Sequence, residues 1–350
     1  VNPPTIHWGG HSIERLGEEL DGLGVRRPFL VTTRSVAANQ HIMKRLRTAV
    51  GRELAGEPAL IGQHAPGKDV AQAGASAQVA RADGIISLGG GSPIDAGKMV
   101  ALNPGQRALP HVAVPTTLSA AELAPSAGVT DERGQKGGQR DPRLTPNVVI
   151  YDGELALQTP LELWLSTGIR ALDHAIETIL EPGDHPYSDT LALESIRRLF
   201  VSLPAARARP GAVELRTENQ IAAWLGYTLP KVASGLSHTL SKQIGSPFGI
   251  PHGVTSCLVL PHVVRYRART QPEQAARLAP AMGLARPGAS TSQLAEAAAD
   301  ATYQLIGRLG LPQHLAAYHL TEDQLRVAAE PVASDRYPLE DVLAIYRAAA

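Results

Sequence analysis

The chain has 350 residues, 43% hydrophobic and 19% charged, which excludes a disordered protein and leaves room for two globular domains. Lysine plus arginine (33) balance aspartate plus glutamate (33), and no basic run is interleaved with aromatics, so nucleic acid and anionic membranes are not expected partners and a small molecule is. No apolar run spans a bilayer, the N-terminal residues lack the order of a signal peptide, and the lone Cys257 excludes an internal disulfide; a cytoplasmic protein is expected.

In chain order, residues 26–33 (RRPFLVTT), 58–64, 84–90 (GIISLGG), 111–117 (HVAVPTT) and 147–152 (NVVIYD) are short β-rich runs. Helical periodicity lies between them, as in SVAANQHIMKRLRTAV at 35–50. This alternation predicts a parallel, doubly wound sheet. From Leu161 onward the apolar residues recur at three and four, which predicts an all-helical second half. A Gly and a Pro within 153–160 mark the change, giving an α/β domain over 1–156 and a helical domain over 157–350. Open parallel sheets bind ligands beyond the carboxyl ends of their strands. The chemistry is therefore expected at strand ends in the first domain and on inward helix faces in the second.

The run GIISLGGGSPIDAGKMVAL passes from strand to helix through Gly89, Gly90 and Gly91, more glycine than a turn needs. Glycines there let backbone N–H groups approach a diphosphate at a helix N-terminus. Ser92 is expected to cap that helix and Pro93 to occupy its first turn. The spacing is neither GxGxxG nor that of a P-loop. Only six lysines occur (44, 68, 98, 136, 231 and 242), so arginine supplies the generic surface cations and the lysines are enriched where a compact ammonium is needed.

In the helical half, His174 follows Arg170 by one turn, and Lys242 follows His238 by the same interval, so each pair shares a helix face. His252 lies in PHG, and His262 is read as structural. A lone histidine is ordinarily a satisfied core or surface residue; three on segments bounded by small residues point to a site.

GGGSPID at 89–95, PTT at 115–117, HAIE at 174–177 and H-x13-H ending in PHG at 238–253 together resemble the iron-containing (group III) alcohol dehydrogenase superfamily, from the first strand to about residue 266. Within it, PTTLSAAELAP, one residue shorter than the alcohol dehydrogenase form, and K-x4-DP at 136–142 followed by a strand ending IYD look like the maleylacetate reductase branch. The resemblance implies a dehydroquinate synthase-like fold, a homodimer and NAD or NADP as cofactor. It would put the cofactor diphosphate on Gly89, Gly90, Gly91 and Ser92, with Asp95, Lys98, Thr116, Thr117 and Lys136 lining the rest of the cofactor site. Metal-binding members use an Asp and three His. The histidines correspond to His174, His238 and His252, but the Asp position is Arg170, and Lys242 stands where the family usually has a proton-relaying histidine.

Asp173 points about 100° away around the helix and cannot replace the missing carboxylate. A guanidinium keeps its proton, and at about 4–5 Å and an effective dielectric near 20 it repels a divalent ion by roughly 7–8 kcal/mol. No catalytic metal is expected. The predicted chemistry is hydride addition to a C=C or C=O of a small carboxylated substrate, with Arg170 anchoring a carboxylate, Lys242 stabilising or protonating an enolate, and His174, His238 and His252 relaying protons. The alternative is a non-redox lyase or cyclase, or a nucleotide-binding protein, in which Arg170 merely pairs with Asp173 or Glu177. VTTRSV carries no acid for a ribose 2′-hydroxyl, and Arg34 could accept a 2′-phosphate, which points to tolerance of NADPH beside NADH.

Overall fold

Strands form where apolar residues run together, and they set the frame of the first half of the chain. In a computed structural model, which describes residues 3–102, 108–132, 136–227 and 235–350, they are β1 (Thr5–Gly9), β2 (Pro28–Thr32), β3 (Ala59–Leu60), β4 (Gly84–Gly89), β5 (His111–Pro115), β6 (Ser126–Thr130), β7 (Lys136–Arg140) and β8 (Val148–Asp152). Six make one all-parallel sheet in the order β1-β8-β5-β4-β2-β3, and β6 pairs with β7 as an antiparallel ribbon. Every residue of β2, β4, β5 and β8 is buried, as a sheet covered on both faces requires. Leu30, Ile86, Leu88, Val112 and Ile150 pack with Leu16, Leu20 and Leu46. Phe29, Val31 and Ile85, the alternate positions, pack with Ala73, Ala77 and Val100 on the other face.

From β3 the chain returns to the opposite side of β2 to form β4. The strand order thus reverses between β2 and β4, and a sheet of this kind binds its ligand beyond the carboxyl ends at that point. The glycine run at the end of β4 lies there.

Three local readings change. The strand expected over 58–64 shrinks to Ala59–Leu60, because Gly62 and Pro66 follow closely. The single helix expected over 35–50 breaks at Asn39, whose Oδ1 accepts from Ile42 N–H at 3.1 Å and caps Gln40–Val50. β1 was not anticipated: it is an edge strand, paired only with β8 and without a fully buried residue.

The chain divides into two compact units, Val1–Pro160 with Gly211–Ile221, and Leu161–Pro210 with Ala222–Ala350. Where a single cut after residue 156 is expected, the chain crosses between the units three times, after Pro160, Pro210 and Ile221. The start of the helix Val213–Gly226 lies close against Gly153, where an added Cβ would sit 2.7 Å from Val213 O.

In the second unit every residue of the helix Leu161–Leu180 from Trp164 onward is buried, so it forms the centre of the bundle. Around it run Pro186–Ala208, Leu236–Ile244, His252–Thr270, Thr291–Arg308 and Leu339–Ala349. Leu240, Ile244, Leu258, Val342 and Tyr346 belong to one core cluster there. Gly253 lets the helix His252–Thr270 approach the central helix, since a Cβ would lie 3.1 Å from the Ser166 carbonyl carbon. Among the described residues no helix is long and apolar enough to cross a membrane.

Candidate functional site

The first unit offers an anion cradle. Gly89 has φ +138°, and a Cβ there would meet Pro93 Cγ at 2.8 Å, so only glycine serves. A Cβ on Gly90 would lie 3.1 Å from Thr117 Cγ2, and one on Gly91 3.2 Å from Ser119 Oγ. The helix Gly91–Leu102 begins inside this run, so its first N–H groups face the cradle. Thr117 Oγ1 and Ser119 Oγ are buried without a hydrogen-bond partner among the described residues. Two hydroxyls in the wall and helix N–H groups at the floor fit a dinucleotide diphosphate. Thr116 is fixed by its backbone: its N–H donates to Gly89 O at 2.8 Å and its carbonyl accepts from Thr159 Oγ1 at 2.6 Å.

Three expected cofactor residues have other partners. Ser92 is not the helix cap, because the helix already starts at Gly91; its Oγ accepts from His64 N–H at 3.0 Å. Asp95 Oδ2 accepts from Gly128 N–H at 3.1 Å. Lys98 is wholly buried, and its Nζ donates to the carbonyls of Ala121, Ala124 (2.6 Å) and Ser126 (3.0 Å). All three of its donors are committed, which leaves none for a ligand. Lys136 opens β7, but its side chain lies outside the described residues.

At the ends of β2 and β3, a pocket of about 540 Å³ is lined by Arg34, Glu57, Asp69, Gln72 and Ser76, among others, so one cation shares it with two carboxylates.

The second unit gathers charge onto its central helix. Arg170 is 2% exposed; Nη1 donates to Asp173 Oδ2 at 2.8 Å and to Ser256 Oγ at 3.1 Å, while Nη2 faces His238 Nε2 at 3.4 Å. Ser256 also donates to Asp173 Oδ2, at 2.8 Å. Burial raises the Asp173 carboxyl, opposed by Arg170 and Ser256. Burial, and then the Asp173 charge, push Glu177 well above its ordinary range, while Arg170 and the N–H groups of Gly235 and Ser237 act the other way. Glu177 accepts from those two N–H groups at 2.9 and 2.6 Å, and from His238 N–H at 3.3 Å. It caps the helix Leu236–Ile244, whose own N-cap, Gly235, has no side chain to do so.

The His174 and His238 rings lie 5.7 Å apart, and Tyr227 meets His174 edge-on at 4.8 Å. Lys242 is exposed on the helix that carries His238. His252 opens the helix His252–Thr270; its side chain lies outside the described residues. Sequence reasoning missed Tyr227, Ser256 and the capping role of Glu177. Only Gly235 hinted at the last, since a Cβ there would sit 2.7 Å from Glu177 Oε1. The Arg170 fork, expected to be open to a substrate carboxylate, is filled at Nη1 by Asp173 and Ser256. A divalent ion does not suit the described donors here, because the fixed charge of the guanidinium lies 3.4 Å from the His238 ring and would repel it.

The first unit thus carries a glycine cradle at the switch point of a doubly wound sheet, and the second brings Arg170, His174 and His238 together on its helices. The iron-containing alcohol dehydrogenase family model matches residues 3–153, and its C-terminal counterpart matches 164–349. The maleylacetate reductase of Delftia acidovorans is 32% identical over 336 residues, covering 96% of this chain and 90% of the relative. Maleylacetate reductase 2 of Cupriavidus pinatubonensis is 34% identical over 293 residues, covering 83% and 80%. The crystal structure of maleylacetate reductase from Agrobacterium tumefaciens superposes with a TM-score of 0.86 at 28% identity, covering 100% of this chain and 96% of the other. The chain belongs to the iron-containing alcohol dehydrogenase family, in its maleylacetate reductase-like branch, and is an oxidoreductase.

Proposed function

We propose that this protein is a metal-independent, NAD(P)H-dependent reductase of the maleylacetate reductase type, acting as a cytoplasmic homodimer on a C=C or C=O conjugated in a small carboxylated substrate. The observation that carries the reading is the buried guanidinium of Arg170 beside His238, at the position where metal-binding relatives keep a carboxylate. A bound nicotinamide supplies the hydride. The chain's own groups do the rest. Arg170, which cannot lose its proton, places a fixed positive charge beside the histidines, with its Nη2 3.4 Å from His238 Nε2. Because Nη1 is taken by Asp173 and Ser256, contact with the substrate carboxylate or the developing enolate passes to Lys242, which is exposed on the same helix face as His238. His174, His238 and His252 then move protons. The glycine cradle holds the diphosphate, and Arg34 favours the 2′-phosphate of NADPH.

The test is loss of NADH or NADPH absorbance with maleylacetate and related 4-oxo-enoates, using protein purified without chelator and then treated with one. Undiminished turnover and substoichiometric metal are expected. Near-stoichiometric metal held by the histidines, or activity abolished by chelation, overturns the metal-independent reading.

A further inference from the structure

Lys98 is not required to touch a ligand in order to matter to one. Its ammonium points three N–H groups at three carbonyls within the stretch 121–126, and Asp95, one turn earlier on the same helix, ties Gly128 N–H. That stretch is the root of the loop whose Thr117 and Ser119 wall the glycine cradle. The helix is itself seated hard on the sheet, since a Cβ at Gly97 would fall 2.8 Å from Ser87 Cβ. Between wall and root, Ala120 is held at φ 58°, a left-handed conformation that a non-glycine residue adopts only under restraint. A short 3₁₀ turn, Ala121–Leu123, follows it and supplies the first carbonyl to Lys98. Three converging neutral oxygens suit a tetrahedral ammonium; a planar guanidinium could not reach all three.

We propose that Lys98 is a positioning residue for the dinucleotide: by gathering the carbonyls of Ala121, Ala124 and Ser126 it holds Ala120 left-handed and sets the Thr117 and Ser119 hydroxyls against the Gly90–Gly91 backbone. This rests on the reading of the cradle as a dinucleotide site. In Lys98→Met the carbonyls lose their donor and the wall relaxes away from the cradle. The side chain keeps its bulk, so the apolar surroundings remain filled.

Titration calorimetry with NADH and NADPH on the full chain, together with steady-state kinetics, tests it. For Lys98→Met the cofactor Kd and KM should rise about tenfold or more, the size of one lost kcal-scale restraint. The KM for the carboxylated substrate and kcat at saturating cofactor should stay within about threefold of wild type, a split that mere loss of fold would not give. Adding Ala120→Gly, which adopts the left-handed form freely, should recover roughly fivefold of the lost affinity. If Lys98→Met does not fold, Lys98→Gln, with two donors for three carbonyls, should raise the cofactor Kd about threefold. An unchanged cofactor Kd in whichever variant folds overturns the proposal. Wild-type protein that binds neither dinucleotide instead overturns the reading of the cradle, and this inference with it.

Discussion

Two buried cations of this protein, Lys98 in the first unit and Arg170 in the second, are held in opposite ways. In the first, Lys98 is enclosed by neutral carbonyls, with Asp95 and Glu122 near enough to act on it only as field charges. In the second, Arg170 bonds a carboxylate directly. Burial pushes the lysine down from 10.5 to about 8, whereas the guanidinium cannot titrate. The difference teaches that the side chain is matched to the task. A compact, titratable ammonium organises backbone, and a flat permanent cation replaces charge.

Breaking the second arrangement should have the largest effect. Arg170→Met strands Asp173 in the core, and a loss of about 3–5 kcal/mol in unfolding free energy is expected by denaturant titration. Arg170→Met/Asp173→Leu should regain most of it; failure to do so would show that the pair is not the source. The first arrangement responds to pH instead. Because the folded state holds the Lys98 proton less tightly than the unfolded chain, the unfolded state binds more protons between about 8 and 10.5, and stability should rise across that window by up to ~3 kcal/mol. Asp95, Glu122 and His111 also act on or face this group, so the measurement is the wild-type slope of stability against pH minus that of Lys98→Met, which should be positive.

Two smaller effects sharpen the contrast between holding and reacting. Lys242→Met should lower turnover on the order of 10²-fold while cofactor affinity stays within about twofold, and unchanged turnover would remove Lys242 from the chemistry. Arg34→Ala should weaken NADPH relative to NADH by about tenfold, read from the ratio of their KM values. Equal weakening of both would place Arg34 away from the 2′-phosphate.

The first unit was legible wherever a residue's neighbours in sequence decided its environment. β2, β4, β5 and β8 are buried on both faces and announce themselves as apolar runs, and the triple glycine at their switch point could be read as a cradle. β1, half exposed and at the sheet edge, gave no such signal. Lys98, which the resemblance placed in the lining of the cofactor site, is a related case, since nothing local in the sequence tells that carbonyls at 121–126 will close over it. In the second unit the sequence identified Arg170 and its histidines, and it named Asp173 as one possible partner. It could not rank that pairing above an open fork, because the deciding contact, Ser256, comes from a helix 86 positions further along the chain.

The carboxylate of Glu177 beneath the helix Leu236–Ile244 has a consequence for how this enzyme could be altered. Arg170, His174 and Glu177 share one rod, and Glu177 grips the start of the rod that bears His238 and Lys242, so these side chains form a single cassette with a fixed offset. Transplanting either rod alone from a metal-using cousin would break that grip and throw the imidazoles out of step. Exchanging both together would preserve the grip of Glu177 on the second rod.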